Sequence, residues 1–412
     1  MGRPGLPRTL PIRTAVALGA GVLAVLPAAV LPAAPARAEV QPPRQPPPGM
    51  SVVGGARLGQ PGVQVDQAGA TTLPELSALA WMISDIDTGD VLAAKNAHWP
   101  LPPASTLKTL FAAAELPRQP ADTVHKVTAA ELAGLGAGSS LVGIQAGQSY
   151  KVSDLWLGVL LRSGNDAVRT LAMMNGGVPA AVTAMQALAD TLGARDTRVI
   201  SPDGYDAPGQ VSSAYDLTLF LRSALANPDF TRYAATKVAQ FPGGRDAKGG
   251  LVPSFQIQNG NRLLAGTDGV TRYPGLIAGK NGYTAQAGNT LVTAAARDGH
   301  TLVATVLNPQ SGKSNAVYNE TRQLLDWGFA ARARVAPVGS LVHAPTATPG
   351  HDDPGRQAPE HPALAGARLA ARWGALLALP LAGLLVLTLR QWRRQRARRR
   401  RRARVAAFMQ RG

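Results

Sequence analysis

The chain contains no cysteine. Disulfides, thiolate catalysis and cysteine-based zinc sites are therefore excluded. Its six histidines, His98, His125, His300, His343, His351 and His361, are scattered and form no H-E-x-x-H pair. A zinc hydrolase has no support in this pattern, and no metal or cofactor is expected. No internal repeat is visible. Acidic residues are missing from both ends: residues 390–412 hold eleven arginines and no acid, and residues 1–38 hold four and no acid. Of the formal net charge of +17, only +2 is left for residues 39–389. The basic balance belongs to the termini, so a basic groove for nucleic acid is not implied.

The ends read as an address and an anchor. Arg3, Arg8 and Arg13 precede the small apolar run Thr14–Val30, and Ala36-Arg37-Ala38 has the form of a secretory cleavage site. Residues 1–38 are thus expected to be a signal peptide, an uncleaved anchor being the alternative. Near the other end, WGALLALPLAGLLVLTL (residues 373–389) carries no charge for 17 residues. As a helix it would extend about 25 Å, near the lower limit for spanning a bilayer. Trp373 and Trp392 lie at its borders, as interfacial anchors do. The arginines of 390–412 mark the cytoplasmic side and suit anionic lipid heads. The expectation is a single-pass protein of the cell membrane with its folded domain outside.

Between these ends, residues 39–69 and 336–372 read as Pro/Gly-rich linkers. Residues 70–335 remain as the globular domain. Residues 78–96 predict a hairpin turning at Asp87-Thr88-Gly89, and residues 289–308 a second one around Asp298-Gly299. Helices are predicted over 105–115, over 154–162 with Ser153 as cap, over 216–226 and over about 315–331. Strands at both ends with helices between predict one antiparallel sheet whose first and last strands meet, with helices on both faces and an inserted, mainly helical subdomain.

Three fragments carry chemistry. In LPPASTLKTLF (101–111), Ser105 and Lys108 are three residues apart, so one helical face holds both. A lysine kept neutral by burial can take the serine proton and create a nucleophile. Read alone, S-x-x-K is weakly specific, because a helical lysine commonly snorkels. In LLRSGNDAV (160–168), Ser163 and Asn165 sit at a break between helical runs, where they suit either a proton relay and an amide clamp or an ordinary helix cap. In GKNGYTAQAGNT (279–290), Lys280 falls on the strand before the second hairpin, and Gly282 allows close approach of a ligand. A protective edge-strand lysine is the plain alternative there.

Taken in order, with separations of 58 and 117 residues, the fragments resemble the S-x-x-K, S-x-N and K-T-G signatures of penicillin-recognising serine enzymes. DTGDVLAAKNAHWPLPPASTLKTL, GSSLVGI, LWLGVLLRSGNDAV and SPDGYDAPG further resemble D-alanyl-D-alanine carboxypeptidases, the low-molecular-mass penicillin-binding proteins, in particular actinobacterial ones. The similarity spans about residues 75–332. It implies an α/β (α+β) β-lactamase/DD-peptidase-like fold. It also implies an activity, removal of the terminal D-alanine from peptidoglycan stem peptides ending in D-Ala-D-Ala, with β-lactams as covalent inhibitors. The implied roles are Ser105 as nucleophile, Lys108 as base, Ser163 as proton carrier to the leaving D-alanine and Asn165 as substrate clamp. Lys280 would attract the terminal carboxylate, its charge helping to keep Lys108 neutral. Asn281 and Gly282 would line the substrate strand, and the N–H groups of Ser105 and Tyr283 would form an oxyanion hole.

One position departs from the family pattern, which has threonine where this chain has Asn281. An amide can donate a similar bond from a longer arm. Class A β-lactamases share the fold but carry a glutamate that activates the deacylating water, and no glutamate occurs between Asp166 and Gly279. A β-lactamase is therefore disfavoured. A catalytically weak penicillin-binding sensor at the membrane is the alternative from another functional class.

Overall fold

In the computed structural model, the described residues are 45–66, 72–244 and 249–342. The signal, membrane-helix and arginine-tail expectations lie outside them, as does most of the linker 336–372. Among the described residues no helix is long and apolar enough to cross a membrane.

The chain opens with β1 (Val63–Val65), β2 (Ala78–Asp85) and β3 (Asp90–Lys95). A 3-10 turn, Ala104–Leu107, then runs into α1 (Lys108–Glu115). A small hairpin of β4 (Val124–Lys126) and β5 (Ser149–Lys151) precedes α2 (Val152–Arg162), α3 (Asn165–Met174) and α4 (Val178–Thr191). Next come α5 (Ala214–Leu225), α6 (Pro228–Ala234), a second small hairpin of β6 (Val238–Phe241) and β7 (Phe255–Gln258), and α7 (Arg262–Ala265). The chain returns to the sheet as β8 (Leu276–Thr284), β9 (Gly288–Arg297) and β10 (His300–Pro309), followed by α8 (Ala316–Ala331) and β11 (Gly339–Ser340).

The main sheet has the order β1-β3-β2-β10-β9-β8, with β11 also on β3. As the pattern predicted, the two hairpins meet: β2 and β10 pair antiparallel, with Met82 opposite Thr305. The β9–β10 turn uses Asp298 and Gly299 at φ +51° and +77°, the left-handed pair that a two-residue hairpin requires. Side chains alternate across the strands with period two. Met82, Val292 and Val303 enter one apolar cluster, which also holds Leu219 and Phe220 of α5. Ile83, Leu291 and Leu302 enter another, with Leu324 and Leu325 of α8. Helices therefore cover both faces. The inserted helical segment has no separate core: Trp156 and Leu171 belong to the same cluster as the sheet residues.

Three boundaries differ from the sequence reading. Ser153 does not cap α2, which begins one residue earlier; Asp154 accepts from the Lys151 N–H at 3.3 Å instead. Residues 50–65, assigned to the linker, pack on the domain: Leu58 is fully buried and Val63–Val65 pair with β3. The prolines of 41–49 dominated that reading, whereas the apolar positions that bury here are spaced by glycine turns. At the other end β11 likewise extends the fold beyond residue 335, with Val338 and Leu341 buried.

Candidate active site

The site forms where the Ser105 turn, the α2–α3 break and the edge strand β8 converge. Ala104 has φ +49°, an uncommon conformation for a residue with a Cβ. It turns the chain so that Ser105 begins a 3-10 turn and Lys108 opens α1. The turn is anchored on both sides of the chain. Thr290 of β9 donates to the Pro103 carbonyl at 3.1 Å, and Thr106 donates to the same carbonyl at 2.5 Å.

Lys108 is fully buried, and its Nζ donates to Ser105 Oγ at 2.8 Å. The amine also donates to Asn165 Oδ1 at 2.8 Å and to the Asp203 carbonyl. Burial lowers its pKa to about 8, against the opposing pull of the Asp203 and Asp166 carboxylates. Lys280 is also buried and donates to the Asn281 carbonyl at 2.7 Å. Its pKa lies well below the usual lysine range, first through burial and second through the charge of Lys108. Burial is the first cause at both amines, and the repulsion between them is mutual.

Ser163 ends α2 with φ +60°, which swings the chain from α2 into α3. Its hydroxyl is buried and has no hydrogen-bond partner among the described residues. Asn165 opens α3, with its Nδ2 3.3 Å from Ser139 Oγ. Ser163 and Asn281 line one cleft of about 260 Å³, together with Ser140, Leu161, Arg162 and Gly260. Gly282 permits a close approach, but of the protein itself rather than of a ligand. A Cβ there would lie 2.7 Å from the Ser105 nitrogen. The backbones of β8 and the nucleophile turn are therefore in contact, and Tyr283 follows with its side chain exposed.

Two supports escaped the sequence reading. Asp166 accepts from the N–H groups of Val142, Gly143 and Ile144 at 3.0, 2.8 and 2.9 Å, fixing the GSSLVGI loop against α3. Gly204 has φ +79° and would place a Cβ 1.9 Å from the Ala104 carbonyl, so only glycine lets the SPDGYDAPG loop close on the nucleophile turn. Both segments were visible as family-like strings, but nothing local indicated that they touch the site.

The arrangement brings together a serine hydroxyl bonded to a buried amine, a second buried amine and a hydroxyl unpaired among the described residues. Such a set can perform acyl transfer without a metal. Against known proteins, residues 67–311 match the model of the D-alanyl-D-alanine carboxypeptidase family. The chain belongs to this family. It is 38% identical over 281 residues to the D-alanyl-D-alanine carboxypeptidase DacB2 of Mycobacterium tuberculosis, covering 67% of this chain and 90% of that one. It is 33% identical to DacD of Escherichia coli, covering 62% of this chain and 64% of that relative. Among solved structures, a D-alanyl-D-alanine carboxypeptidase of M. tuberculosis matches with TM-score 0.59 and 37% identity, covering 68% of this chain and all of that one. The Streptomyces K15 DD-transpeptidase matches with TM-score 0.57 and 27% identity, covering 63% and 100%. The fold is the mixed α/β DD-peptidase fold, and the protein is a hydrolase of the D-Ala-D-Ala carboxypeptidase type.

Proposed function

We propose that Ser105 carries the acyl-enzyme and that Lys108 is its general base. The observation that carries this is the fully buried Lys108 amine, 2.8 Å from Ser105 Oγ. With its pKa drawn to about 8, a useful fraction is neutral near pH 7–8 and can accept the serine proton. Ser105 Oγ then bonds to the carbonyl carbon between the last two D-alanines, and the C–N bond breaks. The proton reaches the departing amine through Ser163, whose hydroxyl is otherwise unpaired. Water attacks the ester and gives its proton to the Lys108 amine, which returns it to Ser105 Oγ as the ester C–O bond breaks.

The substrate's terminal carboxylate sits near Lys280 and Asn281. An arriving carboxylate favours the charged form of Lys280, so the proton that burial discourages is restored when substrate binds. Asn165 releases Lys108 to hold the substrate backbone. The N–H groups of Ser105 and Tyr283 stabilise the oxyanion, each such donor being worth about 3 kcal/mol of barrier. Penicillins acylate Ser105 and leave slowly.

The same reading puts the catalytic domain outside the cell membrane, with residues 373–389 spanning it and the arginine tail against anionic lipids inside. Removal of residues 373–412 releases the protein from membranes if this is right; a truncated chain that stays membrane-bound overturns it.

Intact-mass measurement after penicillin exposure tests the acyl-enzyme, with Ser105→Ala as control. Release of D-alanine from an acetylated Lys-D-Ala-D-Ala peptide tests turnover. Both are expected from the native chain and neither from the variant. Acylation without D-alanine release would favour a sensor instead.

A further inference from the structure

Outside the catalytic set, three side chains from distant parts of the chain meet in the interior. His98 follows β3, Asp196 follows α4, and Asp216 lies in the first turn of α5. Each offers one donor atom, and these atoms all lie within 4.8 Å of one another. His98 and Asp216 are buried, and the Asp196 side chain is nearly so.

The imidazole is held in one tautomer at its far side. The Val53 carbonyl can only accept, and it lies 2.9 Å from His98 Nε2, so that nitrogen carries a hydrogen. Nδ1 then faces Asp196 Oδ2 at 2.6 Å. A backbone carbonyl on the second ring nitrogen is also how metal-ligating histidines are commonly oriented.

The carboxylates are unequally served. Asp196 Oδ2 accepts from Ser213 Oγ at 2.8 Å. Asp216 Oδ2 accepts from the Asp196 N–H at 2.9 Å and from Thr197 Oγ1 at 2.8 Å. Asp216 Oδ1 is buried and has no partner among the described residues. Such an oxygen calls for a water or an ion. Positive charge is also short here. One imidazole faces two carboxylates, and no lysine or arginine forms an ion pair with either among the described residues.

We propose that His98 Nδ1, Asp196 and Asp216 Oδ1 bind one zinc ion as a structural site. A neutral imidazole and two carboxylates balance its double charge, so the buried set becomes neutral. Nitrogen and carboxylate donors suit this ion, and Ser213 Oγ is at hand as a fourth donor. Ligands of a four-coordinate zinc stand roughly 3.3 Å apart at bond lengths of about 2.0–2.1 Å. His98 and Asp196 therefore part by less than about 1 Å to admit it. The ion joins the strap at Val53, through the His98 ring, to both ends of the loop that carries Asp203. The spacing of 98, 196 and 216 matches no local metal motif, which is why the sequence pattern did not indicate it.

The test uses the full, untagged chain stripped with a chelator, and Zn²⁺ alone as the probe. After gel filtration, elemental analysis should find one zinc per chain. With free zinc about a hundredfold above its Kd, the unfolding temperature should rise by roughly 5 °C. Penicillin acylation of Ser105 should be the same with and without zinc. Asp216→Asn keeps the shape, removes the charge and should abolish both zinc retention and the zinc-dependent shift. Asp85, Asp87 and His300 also bring donors within 4.8 Å of one another. His300→Ala should therefore leave both effects intact. No zinc on the native chain, zinc kept by Asp216→Asn, or zinc lost with His300→Ala would each overturn the proposal. Should Asp216→Asn fail to fold, Co²⁺ in the His300→Ala chain decides. Visible absorption of four-coordinate strength supports the site, and the pale spectrum of six-coordinate cobalt overturns it.

Discussion

Two clusters of buried ionisable side chains touch the same loop and do different work. In one, Lys108 and Lys280 are buried amines, and the carbonyl of Asp203 accepts from Lys108. In the other, His98 is enclosed between Asp196 Oδ2 at 2.6 Å and the Val53 carbonyl at 2.9 Å. Asp196 also accepts from Ser213 Oγ at 2.8 Å, and Asp216 accepts from Thr197 Oγ1 at 2.8 Å. Thr197 and Ser212, the two ends of the loop that carries Asp203, are themselves 2.8 Å apart through their hydroxyl oxygens. The His98 cluster thus fastens the base of the loop and the N-terminal strap, whereas the lysine cluster meets its tip. Groups paired among themselves hold structure, whereas two buried amines with no carboxylate bonded to either among the described residues are poised to act on something that arrives.

The sharpest way to break this contrast is to remove the reacting groups. Ser105→Ala or Lys108→Met is expected to reduce kcat/KM by about 10⁴ or more, read as D-alanine release, because parts of one machine fail together. Lys108→Met should nevertheless fold as stably as the native chain, or more so by about 1–4 kcal/mol, since a well-packed apolar group no longer bears the cost of burying an amine. The His98 cluster should answer in the opposite sense. Asp196→Asn leaves His98 without its charged partner and is expected to cost about 3–5 kcal/mol in urea unfolding. If Lys108→Met proved the more destabilising of the two, the division into a reactive and a structural cluster would be wrong.

Titration separates the clusters further. In the free enzyme, kcat/KM should rise with pH and level off above about 8, as Lys108 loses its proton. Stability should also rise between about 8 and the ordinary 10.5, because there the unfolded lysine still binds a proton that the folded one has lost. Asp216 behaves inversely. Burial first, and the Asp196 carboxylate second, raise its pKa from 3.8 to about 7. Between those values the folded chain holds a proton that the unfolded chain has given up, so this group's contribution to stability is present at low pH and fades as pH climbs towards 7. Asp216→Asn should flatten that slope in unfolding midpoints measured from pH 4 to 8.

The contrast also explains what was legible in the sequence. The hairpins, the meeting of β2 with β10 and the helix at 316–331 followed from period and turn residues, which are local. Ser105 and Lys108 were legible because helical geometry joins i and i+3. Lys280 could be brought to them only through a family likeness, since it lies 172 positions beyond Lys108. The His98 cluster went unseen for the same reason: His98, Asp196 and Asp216 belong to no motif and meet only when α5 packs. Strap residues 50–65 were misjudged because a proline-rich neighbour masked apolar positions that bury or pair there, among them Leu58, Val63 and Val65.

The smallest expected effect concerns the one position that departs from its family. Asn281 sits on β8, where it lines both the cleft that holds Ser163 and a larger one of about 570 Å³, and a Cβ on Gly260 would lie 3.0 Å from its Oδ1. The amide therefore reaches across to the 258–262 turn. Asn281→Thr replaces it with a shorter hydroxyl that can still donate to a carboxylate. Gaining a better-aligned bond to a charged group is worth about 1.5 kcal/mol at the low end, or roughly tenfold. D-alanine release should rise by no more than that, chiefly through KM, because the bond forms to a carboxylate remote from the reacting carbon. A fall in kcat with KM unchanged would instead mean that the asparagine acts on the transition state, and that its length is part of the chemistry of this site.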